Sequence, residues 1–244
     1  VHAEVPADQH DDSSVGIARS MGLTTEGFAR VFESLQPDLV LVLGDRFEIL
    51  AVAHAALVSR IPTAHLCGGD WTAGAWDDAI RHAITKMAHL HFVTNQDAAR
   101  RVRQLGESPD RVFVVGSPGI DAIHTIDLLD SDALQAALGF RLRTHNLLVT
   151  YHPETLALDD GVARLDEPLA ALNALGEDVG VIPTMPNAAP GGRALAARTR
   201  AWAGPRENAV VFTSLGQRRY LSTMAEVDAV VGNSSSGLYE APSY

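Results

Sequence analysis

PDLVLVLGDRFEILAVAHAALVSRIPTAHLCGGD, residues 37–70, sets two short apolar runs on either side of an alanine-rich helical segment. The runs 37–45 and 62–67 are almost continuously apolar rather than alternating, the mark of strands buried on both faces. The segment Phe47–Ser59 between them has the length of a crossover helix. The same alternation continues in both directions. Strand-like runs follow at 90–94, 111–117, 145–152, 178–187, 208–215 and 227–236, with a helical pattern over Asp77–His89 among the intervening segments. Continuous apolar strands alternating with helices predict an α/β fold with parallel sheets and helices on both faces. The acidic segment 118–144 contributes no strand. It divides the chain into two Rossmann-like domains, expected at 1–130 and 131–244 and facing a cleft.

Composition narrows the function. The 244 residues carry a formal net charge of −11 with Lys86 as the only lysine, which argues against nucleic acid as a partner. No apolar run approaches a membrane span, and the first residues do not form a signal peptide. A single cysteine, Cys67, excludes an internal disulfide and any zinc site built on cysteines. A cytoplasmic protein is expected.

Ligands of parallel α/β sheets bind beyond the carboxyl ends of the strands, and the informative polar residues cluster there. Strand 37–43 runs into Gly44, Asp45 and Arg46, and strand 62–66, which carries His65, runs into Cys67, Gly68, Gly69 and Asp70. Later strands end at His152, at Asn187 and in GNSSSG, residues 232–237. Asp77 and Asp78 open a helix in which Arg81 and His82 follow each at four residues, so that each pair can meet on one face. Ile80, Ala83, Ile84 and Met87 are expected to form its buried stripe. Helix capping accounts for one aspartate; carboxylates and a histidine gathered at neighbouring strand ends are what proton abstraction and return require. Ser234, Ser235 and Ser236 offer hydroxyls and free backbone N–H groups to a phosphate, and Glu240, one turn on, can accept from ribose hydroxyls. Neither GxxxxGK nor a GxGxxG after a strand is present. No metal-ligand spacing stands out.

The ordered set LVLGDRFEILA, GAWDDAIRHAITKMAHLHFV, RVFVVGSPGID, MPNAAPGG and GNSSSGLYEAPS resembles the hydrolysing UDP-N-acetylglucosamine 2-epimerases of sialic acid and related nonulosonic acid biosynthesis. The resemblance implies a GT-B architecture with the nucleotide in the interdomain cleft, a UDP-sugar substrate, a homo-oligomer, and no metal or redox cofactor. It implies loss of UDP from C1 as the C2 proton leaves, a 2-acetamidoglucal intermediate, then water at C1 and reprotonation of C2 on the other face. The product from UDP-N-acetylglucosamine is N-acetylmannosamine. By matching motifs, Asp45 and Asp77 fall on catalytic acids and His152 on a histidine beside the diphosphate. Arg46, Asn187, Ser234, Ser235 and Glu240 fall on nucleotide-binding positions, with Ser236, His65 and Arg81 as further substrate contacts.

Paired glycines 68 and 69 are expected to give the sugar access. Many members carry a glutamate where this chain has Cys67; a similar subgroup keeps an acid just after the glycines, here Asp70, the expected C2 base. Members also begin with a strand and a Gly-Thr-Arg turn and continue past EAPS, so a fragment truncated at both ends is expected. Alternatives are the same reaction on a diacetamido sugar, a non-hydrolysing epimerase, a GT-B glycosyltransferase, and a catalytically silent nucleotide-sugar binding module.

Overall fold

The computed structural model describes residues 3–7, 11–154, 156, 161–186 and 191–244. It divides into two compact units, Val1–Ser117 and Pro118–Tyr244.

The first unit runs α1 (Ser14–Leu35), β1 (Val40–Leu43), α2 (Phe47–Val58), β2 (Thr63–Leu66), α3 (Asp77–Met87), β3 (Leu90–Val93), α4 (Gln96–Gln104) and β4 (Val112–Val114). The four strands are parallel in the order β1-β2-β3-β4. Helix starts follow their caps: Ser13 Oγ accepts from Gly16 N at 3.1 Å, and Asn95 Oδ1 accepts from Ala98 N at 2.9 Å. Val40, Val42, Ala53, Ala56 and Ile84 form a core between β1, α2 and α3, and Val93, Ala98, Val102 and Val112 form a second between β3, β4 and α4. On the other face of the sheet Leu41, Leu43 and Phe113 are exposed.

The second unit begins with α5 (Pro118–Thr125) and α6 (Ser131–Leu138). It continues through β5 (His145–Thr150), α7 (Val162–Asn173), β6 (Val179–Thr184), α8 (Gly192–Ala203), α9 (Gly216–Glu226), β7 (Ala229–Gly232) and α10 (Ser236–Tyr239). Asp130 caps α6, and Gly139 ends it in the left-handed region at φ 59°. Its parallel sheet has the order β6-β5-β7. The expected strand at 208–215 is present only as two parallel bridges, Val181 with Ala209 and Thr184 with Phe212. The cause is Pro183. Val181 N–H donates to Asn208, Val210 and Phe212 donate to Val181 and Pro183, and Met185 donates to Phe212. The rung that residue 183 should donate is missing because proline has no N–H. With this segment beside β6, the chain has laid strands to one side of β5 and then crosses to the other for β7. The topological switch point therefore lies between the carboxyl ends of β5 and β7, where open α/β sheets bind ligands.

Candidate active site

In the first unit the polar group is built at the ends of β1 and β2 and the start of α3. Gly44, at φ 79°, turns the chain out of β1 and presents Asp45. Arg81, one turn into α3 and only 7% exposed, is the centre. Its Nη2 binds the Asp45 carboxylate and, at 2.9 Å, Thr72 Oγ1; its Nη1 donates to the Asp70 carbonyl at 2.7 Å. Asp78 lies 3.7 Å from Arg81 and 3.6 Å from His82, and also accepts from Thr72 N–H at 3.0 Å. The Asp70 carboxylate accepts from Thr94 Oγ1 at 2.7 Å. One buried cation thus ties Asp45, Asp70, Thr72 and Asp78 together.

Asp77 is treated differently. The four-residue spacing predicts a pair with Arg81, but the guanidinium turns to Asp45 instead. Burial first, and the neighbouring Asp45 second, raise the Asp77 carboxyl above the usual carboxylate range. Two acids with unequal environments at one strand edge are the arrangement in which acid and base roles can separate. Because Arg81 must face the sheet, α3 is also rotated from its expected stripe: Arg81, Ile84 and Thr85 are buried and Ala83 is exposed.

Two expectations for the β2 turn change. The glycines face inward rather than opening a pocket. A Cβ on Gly69 would lie 2.4 Å from the Ala98 carbonyl oxygen, and one on Gly68 would lie 3.0 Å from both His65 Nδ1 and Thr85 Oγ1. His65, expected as a substrate contact, is fully buried. Its Nε2 lies 2.8 Å from the Gly44 carbonyl and its Nδ1 3.2 Å from Thr85 Oγ1. It therefore presents no atom to a ligand and braces the Asp45 turn against α3. Cys67 takes a left-handed conformation at φ 61°, half-buried, and burial pushes its thiol pKa up, followed by the nearby Asp70. It stays a neutral thiol.

Burial holds the His65 pKa at about 4, with the Gly44 hydrogen bond opposing. The folded value lies below the unfolded one, so the folded state binds fewer protons between them and loses stability as pH falls through that window. We expect about 1.5 kcal/mol of destabilisation between pH 6.5 and pH 5 from His65 alone. Urea denaturation at the two pH values measures it, and His65→Gln should reduce the difference. An unchanged difference in the variant contradicts the assignment.

Arg46 chelates Glu48 with two hydrogen bonds, 3.1 and 2.9 Å, at the start of α2. In the second unit the switch point gathers His152, Ser234, Ser235 and Ser236. Ser236 Oγ lies 2.7 Å from Tyr220 Oη, and Ser236 N–H points to Ser234 Oγ at 3.4 Å. Glu240 follows one turn later, its N–H bonded to the Ser236 carbonyl at 3.0 Å. Asn187 lies outside the described residues. Thr72, Thr85, Thr94, Tyr220 and Asn233 were not singled out from the sequence. Of these only Asn233 carried a signal, as the first residue past an apolar strand. Among the described residues no helix is long and apolar enough to cross a membrane.

Two Rossmann-like parallel sheets, one with carboxylates around a buried arginine and one with a histidine and serines at its switch point, define an α/β protein of the kind GT-B enzymes are built from. The chain belongs to the UDP-N-acetylglucosamine 2-epimerase family, whose model matches residues 2–244. It is 38% identical over 240 residues to the GDP/UDP-N,N'-diacetylbacillosamine 2-epimerase (hydrolyzing) of Campylobacter jejuni, covering 98% of this chain and 62% of the relative. It is 33% identical over 240 residues to the UDP-N,N'-diacetylbacillosamine 2-epimerase (hydrolyzing) of Legionella pneumophila, covering 98% and 63%. The chain thus spans less than two thirds of these relatives' length. The fold matches the crystal structure of the Neisseria meningitidis UDP-GlcNAc 2-epimerase bound to UDP-GlcNAc with a TM-score of 0.77 at 18% identity, over 95% of this chain and 63% of that one.

Proposed function

We propose that the protein carrying this chain is a hydrolysing 2-epimerase of a UDP-linked 2-acetamido sugar. The observation that carries the reading is the unequal carboxyl pair: Asp45 held by Arg81, and Asp77 raised toward its protonated form beside it. A C2 epimerisation needs a group that takes a proton from carbon and another that returns one. Asp70 is the base in this reading. Its carboxylate accepts from the neutral Thr94 hydroxyl, whereas the Asp45 carboxylate is bound by Arg81. The neutral thiol of Cys67 does not compete for that role.

Asp70 removes the C2 proton, the C–H electrons form the C1=C2 bond, and the C1–O bond breaks to release UDP. His152 and the serines stabilise the departing diphosphate. Asp77 then returns a proton to C2 on the opposite face, water adds at the resulting C1 cation, and the surplus proton of that water passes to the Asp77 carboxylate left behind. Burial and the neighbouring Asp45 both favour the protonated form of Asp77, and Asp45 is itself fixed by Arg81. Of the two sugars anticipated, UDP-N,N'-diacetylbacillosamine is favoured by the names of the Campylobacter and Legionella relatives. Product analysis of the full-length protein supplied with that sugar and with UDP-N-acetylglucosamine tests the reading. Free UDP with a C2-inverted sugar is expected, faster from the diacetamido substrate. An inverted sugar still attached to UDP contradicts hydrolysis.

A further inference from the structure

The β5–β7 ladder does not end where its strands do. Its last backbone pairing is Thr150 with Gly232, followed by Asn233 N–H donating to the Thr150 carbonyl at 3.2 Å. Beyond this point the chain of β7 turns into the serine segment, and a side chain takes over the next rung. Asn233 Oδ1 accepts from His152 N–H at 2.7 Å, and Asn233 Nδ2 donates to the His152 carbonyl at 2.9 Å. One carboxamide therefore satisfies both backbone groups of His152, as a paired strand would. The two bonds also fix the amide orientation, since the reverse would set donor against donor and acceptor against acceptor.

The local sequence prepares both partners. His152 precedes Pro153, which biases its backbone to the extended region and holds its N–H and C=O as a strand residue would. Gly232, at φ 138°, lets β7 approach β5 so closely that a Cβ there would lie 1.8 Å from the Thr150 carbonyl oxygen. That approach brings the short asparagine side chain within reach. On the far side of the serines, Tyr220 holds Ser236.

We infer that Asn233 is the positioning residue of His152, locking the histidine backbone to the serine segment so that imidazole and hydroxyls form one rigid group. This rests on the reading that His152 serves the departing diphosphate. Asn233 is solvent-exposed and its bonds lie at the surface. Its loss should therefore cost catalysis more than stability, since displacing a catalytic group by about 1 Å can slow a reaction by as much as about 100-fold.

The test is a double-mutant cycle in the full-length protein, read as UDP release from whichever of UDP-N-acetylglucosamine and UDP-N,N'-diacetylbacillosamine it turns over. Asn233→Ala should lower kcat about 10- to 100-fold with KM within about threefold. Thermal midpoint should change by less than about 4 °C. In a His152→Ala background, which keeps the backbone groups but removes the imidazole, the same substitution should cost less than about twofold. Asn233→Asp keeps the size but turns an acceptor toward the His152 carbonyl, and should be no better than alanine. Equal losses in both backgrounds, or a wild-type-like Asn233→Ala, overturn the inference while leaving the epimerase reading intact. So does failure of both variants to fold, which would make the residue a requirement of the fold. A wild-type protein that releases no UDP from either sugar overturns the reading and the inference with it.

Discussion

Replacing Asp77 with asparagine is expected to lower kcat of the full-length protein by about 10²- to 10³-fold, with KM for the UDP-sugar within about threefold. Asn keeps the shape and the place in the first turn of α3 but can neither hold nor return a proton. The effect should therefore fall on the chemical step and spare binding. Stability should move the other way. Because burial and Asp45 raise the folded-state pKa of Asp77 above its unfolded value, the folded protein binds the extra proton more tightly. Stability is then highest below the unfolded value and falls as pH rises through the folded one. At pH 7 the wild type bears the cost of ionising this half-buried group, or of keeping it protonated, and Asp77→Asn does not. The variant should be the more stable protein at pH 7, with the advantage fading as pH drops below about 4. Asp45→Asn should also slow turnover. By removing the negative neighbour it should shift the limb of the kcat profile that reports Asp77 to lower pH. An Asp77→Asn enzyme with near-normal kcat would return the aspartate to a purely helix-stabilising role.

Gly232→Ala is expected to destabilise the second unit by about 4 kcal/mol or more. Two costs add. A φ of 138° is a backbone region that an L side chain rarely adopts, worth about 1–3 kcal/mol of strain. The new Cβ would also lie 1.8 Å from the Thr150 carbonyl oxygen, 2.7 Å from its carbon and 3.3 Å from its nitrogen. These are backbone atoms of the central strand, so no flexible side chain can move aside, and overpacking of this kind costs about 1–3 kcal/mol or more. β7 would have to withdraw from β5, taking the Asn233 bridge and the serines with it. Gly216→Ala is the control. It too has a positive φ, 65°, but nothing lies within 4 Å of its would-be Cβ, so only the smaller strain of about 1–2 kcal/mol applies. Chemical denaturation of the two variants separates the terms. A Gly232→Ala protein as stable as the control would mean that strand β7 has room the structure does not show.

Most of the architecture could be read from the chain because buried parallel strands are continuous apolar runs. VLVL at 40–43 and the strand ending in VVG at 232 could hardly serve another purpose in an α/β pattern. The segment 208–215 looked like the others, and its pairing is broken by Pro183 on its neighbour, a fact that belongs to two distant stretches at once. The site was legible as a set of residue types at strand ends, and Asp45, Asp70, Asp77 and Arg81 do come together. What periodicity could not give was the partner of each. Sequence spacing offered Asp77 to Arg81, whereas the fold brings Asp45 across from the next strand, and the helix turns to suit. His65 looked like a contact because histidines at strand ends so often are, but the strand's inward face claims it one residue before the end. Paired glycines after β2 suggested open space. In the fold they are small because α4 and His65 already fill that space.

The central claim is proton exchange at C2 coupled to loss of UDP. The most direct measurement is turnover of the full-length protein in heavy water, with mass spectrometry and proton NMR of the released sugar. Complete incorporation of one deuterium at C2, inverted configuration and one free UDP per sugar are the result expected. A C2-inverted product that retains its original hydrogen would mean that none of these carboxylates exchanges a proton with that carbon, and would contradict the account.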